Sequence, residues 1–121
     1  MKILVAGAAG QLGTDLVRLG GDDGHELIGL DQRPLEITST DAINAAVGAH
    51  APDVVVNCAA WTAVDLCEDD PDRAELLNGT AFRYLAGAPE QHGAHLVQVS
   101  TDYVFDGTKT SPYVETDEPN P

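Results

Sequence analysis

The sequence predicts an α/β fold, a Rossmann-type doubly wound parallel sheet truncated after about four strands. Three observations carry that expectation. Short apolar runs such as Lys2–Ala6 and Val54–Cys58 alternate with stretches of helical periodicity, the signature of βαβ units. The runs are apolar throughout rather than at every second position, so the strands are expected to be covered on both faces, as parallel strands are. A glycine turn, Gly7-Ala8-Ala9-Gly10-Gln11-Leu12-Gly13, separates the first run from the first helical stretch.

Lys2–Ala6 reads as the first strand. Residues 11–19 follow as a helix with Leu12, Leu16 and Leu19 at helical spacing. Gly20-Gly21-Asp22-Asp23-Gly24 then breaks the chain. His25–Leu30 is the second strand, ended by Asp31. Ser39 or Thr40 caps a helix at 41–50, which carries Ile43, Ala46 and Val47 on one face. Pro52 closes that region, and Asp53–Cys58 is the third strand. A short helix is expected over Trp61–Glu68. Pro71 suits the first turn of a longer helix, with Ala74, Leu77, Ala81 and Leu85 along a face and Pro89 and Gly93 at its close. Ala94–Ser100 is the fourth strand, and from Thr101 onward the chain reads as loop. Right-handed crossovers would put helices on both faces of the sheet. Ligands of such sheets bind at the carboxyl ends of the strands, where strand order reverses. That point is expected between the first and fourth strands, beside Gly7–Gly13 and Ser100–Tyr103.

A chain of 121 residues holds one domain at most, and 43% apolar residues suffice for a core. No apolar run approaches the ~20 residues of a membrane span. Met1-Lys2 leads directly into a strand without a signal-peptide pattern, so a cytoplasmic location is expected. The formal charge is −14, from 20 acidic and six basic residues. That balance argues against nucleic acid or an anionic membrane as partner. The acid-rich, lysine-poor composition suggests a halophilic source or a GC-rich genome. The two cysteines, Cys58 and Cys67, lie in no metal or redox spacing and are expected to be buried thiols. The four histidines are scattered along the chain and read as surface or element-edge residues. No metal site is expected, because no cluster has ligand spacing.

The glycine turn carries the chemistry. Gly7 permits a tight bend, Gly10 lets backbone N–H groups approach a pyrophosphate, and Gly13 lets the helix pack close to the strand. The helix N-terminus would face the phosphates. A bare strand–helix turn is the plainer alternative, and the full strand–loop–helix context favours a dinucleotide site. Asp31 can accept hydrogen bonds from the adenosine ribose hydroxyls, or serve as an ordinary turn residue. Arg33 could pair with a 2′-phosphate, so NAD and NADP both stay open. After the third strand, the small Ala59 and Ala60 leave room for a cofactor across the strand ends, and Thr62 offers a hydroxyl. Ser100–Phe105 follows the fourth strand. A hydroxyl there can polarise a reacting carbonyl as hydride arrives, or simply cap the strand end.

With these segments in view, the chain resembles the dTDP-4-dehydrorhamnose reductases of the extended short-chain dehydrogenase/reductase superfamily. The resemblance runs along the whole chain, through Gly7–Gly13, Pro52–Asp65, Leu77-Asn78, Gly93–Gly107 and Pro112–Asp117. Ala63-Val64-Asp65 and Ser100–Gly107 are specific to this branch, whereas the glycine turn is shared across the superfamily. The resemblance implies an oxidoreductase that uses NADPH or NADH to reduce the 4-keto group of dTDP-4-dehydro-rhamnose in dTDP-L-rhamnose biosynthesis. It implies cofactor contacts from Gly7, Gly10, Gln11, Leu12, Gly13, Ala59, Ala60 and Thr62. Thr101 matches the catalytic hydroxyl, Tyr103 a substrate contact, and Glu36 a position near the adenine where the family often has Asp.

One feature of the family is missing. Its members use a Tyr-x-x-x-Lys pair, in which Tyr donates a proton to the nascent alkoxide and Lys lowers the Tyr pKa. Tyr84, Tyr103 and Tyr113 are followed four residues on by Ala88, Gly107 and Asp117. In the family the pair comes shortly after the point where this chain ends. Residues 1–121 are therefore read as an incomplete NAD(P)-binding Rossmann domain without a substrate domain, inactive alone. The fourth strand would present a free apolar edge through Leu96, Val97 and Val99, open to a homo-oligomer or a missing C-terminal half. The alternatives are a non-catalytic dinucleotide-binding regulatory module and a fragment of a related sugar-nucleotide epimerase or dehydratase.

Overall fold

The computed structural model describes residues 1–121. Strands β1 (Lys2–Ala6), β2 (Glu26–Leu30), β3 (Val54–Asn57) and β4 (His95–Gln98) alternate with helices. These are α1 (Gln11–Gly20), α2 (Thr40–His50), the short α3 (Val64–Asp69) and α4 (Pro71–Ala74), and α5 (Ala81–His92). All strands are parallel, in the order β2-β1-β3-β4.

That order corrects the expected crevice between the first and fourth strands. β1 is flanked by β2 and β3, so the reversal falls between β1 and β3. Val54-Val55-Val56 offers apolar groups to both faces and suits an interior strand. Within residues 1–121, β4 pairs with β3 alone.

Registry sorts the side chains into two layers. Leu4 lies beside Val55, and Val55 beside Leu96, in one row across the sheet. This face packs under α2 and α5, where Leu4, Val55, Ile43, Val47 and Leu85 join one cluster with Leu35 and Ile37. Leu4, Ile43, Val55 and Leu85 are fully buried, each side chain contributing ~1.5–3 kcal/mol by removal from water. On the other face α1 packs on β1 and β2. Alternate residues of β3 and β4, Val54, Val56 and Val97, point to that side. Val97 is 48% exposed, and Val99 just beyond the strand is 42% exposed.

Capping explains several boundaries. The Ser39 hydroxyl accepts from the Ala42 N–H at 3.3 Å and starts α2. The Asp70 carboxylate accepts from the Arg73 N–H at 3.1 Å and starts α4, with Pro71 in its first turn. From Pro71 to His92 the chain is helical throughout, with a π-type stretch at Glu75–Thr80 between α4 and α5.

Four expectations need correction. The helix expected over Trp61–Glu68 begins only at Val64, since Trp61 is tied to Asn78 instead. Pro89 does not close α5, which runs on to His92. Its buried ring is accommodated, and Gly93 at φ +73° makes the stop. Leu12 and Leu19 do not form the inner face of α1. They are 48% and 55% exposed, because α1 meets β2 through Val17 and Gly20: Val17 lies over Gly29, and a methyl at Gly20 would stand 2.8 Å from the Leu27 side chain. Cys58 and Cys67 are half-buried rather than buried, Cys58 just past the end of β3 and Cys67 within the short α3. No helix is long and apolar enough to cross a membrane.

Candidate functional site

The site is built where β1 and β3 end side by side. At the end of β1, Gly7 takes φ +75°, a left-handed conformation costly for any residue with a Cβ. That bend lets the N–H groups of Gly7 and Ala8 both donate to the Leu30 carbonyl, at 3.0 and 3.1 Å. The Gly10 N–H then donates to the Gly7 carbonyl at 3.0 Å, closing the turn. A Cβ on Gly7 would lie 2.7 Å from the Ala59 nitrogen, and one on Gly13 only 2.3 Å from the Gly7 carbonyl oxygen. Two of the three glycines are thus demanded by backbone packing. A Cβ on Gly10 would meet only the Gly7 oxygen, at 3.3 Å; its remaining side is open.

Helix α1 starts at this opening. Gly10 is its N-cap and supplies no side-chain acceptor, and no acidic residue stands in the first turn. The first intrahelical bond runs from Thr14 N–H to Gly10. The amides of Gln11, Leu12 and Gly13 therefore have no intrahelical acceptor, which leaves a donor-rich, electropositive end.

β3 supplies the opposite wall. The buried Asn57 accepts from the Ala59 N–H through Oδ1 at 3.1 Å and donates through Nδ2 to Gln98 Oε1 at 2.8 Å. It pins the Ala59-Ala60 bend and joins the ends of β3 and β4. Beyond it, Trp61 is clamped by Asn78: the Trp61 N–H donates to Asn78 Oδ1 at 2.8 Å, and Asn78 Nδ2 donates back to the Trp61 carbonyl at 2.9 Å. Asn78 reaches across from the π-type stretch.

Between these walls lies a cavity of about 290 Å³, near the size of small-molecule sites. Of the residues singled out in the sequence, Gly7, Gly10, Asp31, Ala59 and Ala60 line it, as does Glu36. Gln11 and Leu12 stand exposed in the first turn of α1, and Gly13 is buried beneath it. Arg33 and Thr62 are exposed and do not line the cavity. Thr101 and Tyr103 follow β4, two strands from β1. The Thr101 hydroxyl accepts from the Tyr103 N–H and bonds Asp102, each at 3.2 Å, while Tyr103 is 77% exposed.

Sequence reasoning gave no site role to Gln32, Leu35, Ile37, Cys58, Trp61, Arg73 and Leu77, which also line the cavity. Leu35 and Ile37 carried no periodic signal, sitting in irregular chain between β2 and α2. Arg73 and Leu77 belong to a helix whose apolar spacing pointed to the core. Glu36 accepts from the Thr38 hydroxyl at 2.8 Å and the Thr38 N–H at 3.2 Å. These bonds, the hydroxyl first, hold its carboxyl below the usual carboxylate range. Burial pushes the Cys58 thiol up, so it faces the cavity as a neutral group.

The segment after Tyr103 folds on itself. Asp106 accepts from the Thr108 N–H and hydroxyl, both at 2.9 Å, from Asn120 Nδ2 at 2.8 Å and from the Tyr113 hydroxyl at 3.1 Å. Phe105 stacks on Tyr113 with ring centroids 4.1 Å apart, and Lys109 pairs with Asp117. The Asn120 N–H returns to the Val104 carbonyl at 2.9 Å.

Comparison with known proteins places this arrangement. The family model described as the RmlD substrate binding domain matches residues 1–121. The chain is 48% identical over 112 residues to a dTDP-4-dehydrorhamnose reductase of Streptomyces griseus, covering 93% of this chain and 37% of that protein. A crystal structure of a dTDP-4-dehydrorhamnose reductase from Clostridium acetobutylicum superposes with a TM-score of 0.92 at 45% identity, over 100% of this chain and 43% of that one. The Bacillus anthracis enzyme, solved in complex with NADP, superposes at 0.93 with 34% identity, over 99% of this chain and 43% of that one. The chain thus spans about two fifths of the length of these relatives. It belongs to the RmlD substrate-binding-domain family, with the α/β Rossmann-like sheet of its structural neighbours.

Proposed function

We propose that these 121 residues form the NAD(P)-binding domain of a sugar-nucleotide reductase, one that reduces the 4-keto group of dTDP-4-dehydro-rhamnose. The observation that carries the proposal is the cradle itself. Gly7 and Gly13 have no room for a side chain, Gly10 opens outward and lines the cavity between β1 and β3, and α1 with its unpaired first-turn amides begins at the next residue. Such an end takes a pyrophosphate without a cationic side chain. It suits a chain of net charge −14. The NADP complex of the B. anthracis relative supports the same cofactor class.

In this reading the free amides of Gln11, Leu12 and Gly13 hold the pyrophosphate, while Gly7 and Gly10, whose own N–H groups close the turn, let it approach the backbone. Asp31 accepts from the adenosine ribose, and the small Ala59 and Ala60 let the dinucleotide pass over the end of β3, with Thr62 bonding beyond. When bound, the dihydronicotinamide supplies the hydride. Thr101 donates a hydrogen bond to the sugar carbonyl and polarises it, and Tyr103 contacts the nucleotide-sugar substrate. The chain contains no Tyr-x-x-x-Lys. Since general acid help is worth ~10²–10⁴-fold, we assign these residues cofactor binding without turnover on their own.

Titration of the chain with NADPH and with NADH by calorimetry tests the proposal. Saturable one-to-one binding of either, abolished by Gly10→Val in a protein with unchanged circular dichroism, is expected. Absence of binding by both at millimolar concentration would remove the dinucleotide assignment. Steady oxidation of NADPH with the dTDP-4-keto sugar would remove the claim that turnover needs more chain.

A further inference from the structure

We infer that Arg73 is the phosphate-recognition residue at the adenosine end of the cavity, favouring a dinucleotide with an additional phosphate monoester (NADPH) over one without it (NADH). The inference rests on the proposed dinucleotide site and adds the residue that sets its selectivity.

The argument begins with charge. The chain has six basic residues. Arg18 is paired with Asp15, and Lys109 with Asp117. Lys2 donates to the His50 carbonyl at 3.1 Å. Arg33 and Arg83 do not line the cavity; Arg73 does. It is also without an ion pair, although acidic residues stand at 69, 70, 72 and 75. Asp70 is committed to the start of α4, accepting from the Arg73 backbone N–H.

The Arg73 guanidinium lies over the Trp61 ring, 4.5 Å from its centroid. A guanidinium placed over a ring keeps N–H donors that the ring does not use. The Trp61 backbone is anchored by the two bonds to Asn78. The result is a cation over an indole whose backbone is anchored, its guanidinium free of any ion pair.

The remaining charged groups of the lining are Asp31 and Glu36. Asp31 accepts from the Gln32 N–H at 2.7 Å, and Glu36 is held ionised by Thr38. Two carboxylates repel a phosphate monoester on the adenosine ribose. The amides of α1 are committed to the pyrophosphate and cannot compensate. Arg73, the one cation of the lining, supplies the compensating charge. Its fork of donors matches a phosphate better than an ammonium would.

The test uses the whole 121-residue chain at low ionic strength. Calorimetry and the fluorescence of Trp61, the chain's single tryptophan, follow titrations with NADPH, NADH, adenosine 2′,5′-bisphosphate and 5′-AMP. Wild type, Arg73→Ala and Arg73→Lys are compared, each checked for unchanged circular dichroism. Loss of a charge-assisted bond predicts ~10–100-fold weaker NADPH and bisphosphate binding in Arg73→Ala. NADH and 5′-AMP should stay close to wild type, and Arg73→Lys should recover part of the loss. Equal weakening of phosphorylated and unphosphorylated ligands would overturn the inference while keeping the site, as would no weakening at all. Failure of wild type to bind any of the four would overturn the dinucleotide site and this inference with it.

Discussion

Replacing Gly13 by Ala puts the most confined glycine of the structure to a quantitative test. The added methyl would stand 2.3 Å from the Gly7 carbonyl oxygen and 2.8 Å from Ala8 Cα. Both are backbone atoms, so no side chain can rotate aside. Carbon and carbonyl oxygen rest at ~3.3 Å or more, which requires α1 to move from β1 by roughly 1 Å. Overpacking of this kind costs ~1–3 kcal/mol, and a contact this short belongs in the upper part of that range. Alanine returns up to ~1 kcal/mol through helix propensity, leaving a net loss of ~1–2 kcal/mol. Gly87 provides the control. It lies in α5 with nothing within 4 Å of a built Cβ, so Gly87→Ala should gain ~0.5–1 kcal/mol. Urea unfolding followed by circular dichroism gives both changes from the midpoints. Opposite shifts support the packing argument. A Gly13→Ala protein as stable as wild type, or shifts of the same sign in both variants, would refute it.

Further outcomes follow from other parts of the structure. The Thr108 N–H, then the Thr108 hydroxyl and Asn120 amide, hold the Asp106 carboxyl down at about 2, against an ordinary 3.8. A depressed carboxylate pKa means that the contribution of Asp106 to loop order is complete above its unfolded value and is lost as pH falls through about 2. Amide exchange of Thr108 and Asn120 should rise over that interval in wild type, and be raised at every pH in Asp106→Ala. Asn78→Ala leaves the Trp61 N–H and carbonyl without their partners, at ~0.5–1.5 kcal/mol per lost bond. Its tryptophan emission should shift and its dinucleotide affinity fall, and unchanged emission would show that the clamp does not hold the ring. A Val97→Lys, Val99→Lys protein should remain monomeric to higher concentration than wild type by light scattering, because charge on a free edge opposes strand pairing. Identical association would exonerate β4.

The strands and the glycine turn were legible because short-range chemistry determines them. Lys2–Ala6 and Val54–Asn57 are apolar beyond what a half-exposed strand tolerates, and the Gly7–Gly13 spacing encodes a bend that only glycine fits. Strand order was not legible to the same degree. Both β3 and β4 read as apolar runs, and nothing in their composition ranks one nearer to β1 than the other. At the site, Asp31, Ala59 and Ala60 could be placed because each directly follows a strand. Trp61, Arg73 and Leu77 could not, since they meet through a helix whose phase changes midway. The same phase change made a single apolar face through Ala74, Leu77, Ala81 and Leu85 look sufficient, whereas Ala81 and Leu85 are buried and Leu77 turns to the cavity.

The helix from Pro71 to His92 answers to two clients. Its first half presents Arg73, Leu77 and Asn78 to the cavity rim, and its second half presents Leu85 and Ala88 to the core. A regular α-helix turns ~100° per residue and ties the azimuths of its two halves together. The wider turn at Glu75–Thr80 absorbs one residue and uncouples them. Deleting a single residue within that turn would restore an unbroken ladder and rotate one half against the other. The core would keep its grip on Leu85, and the rim would lose Asn78 from Trp61. An indel of one residue, harmless by composition, would thus dismantle the site while sparing the fold.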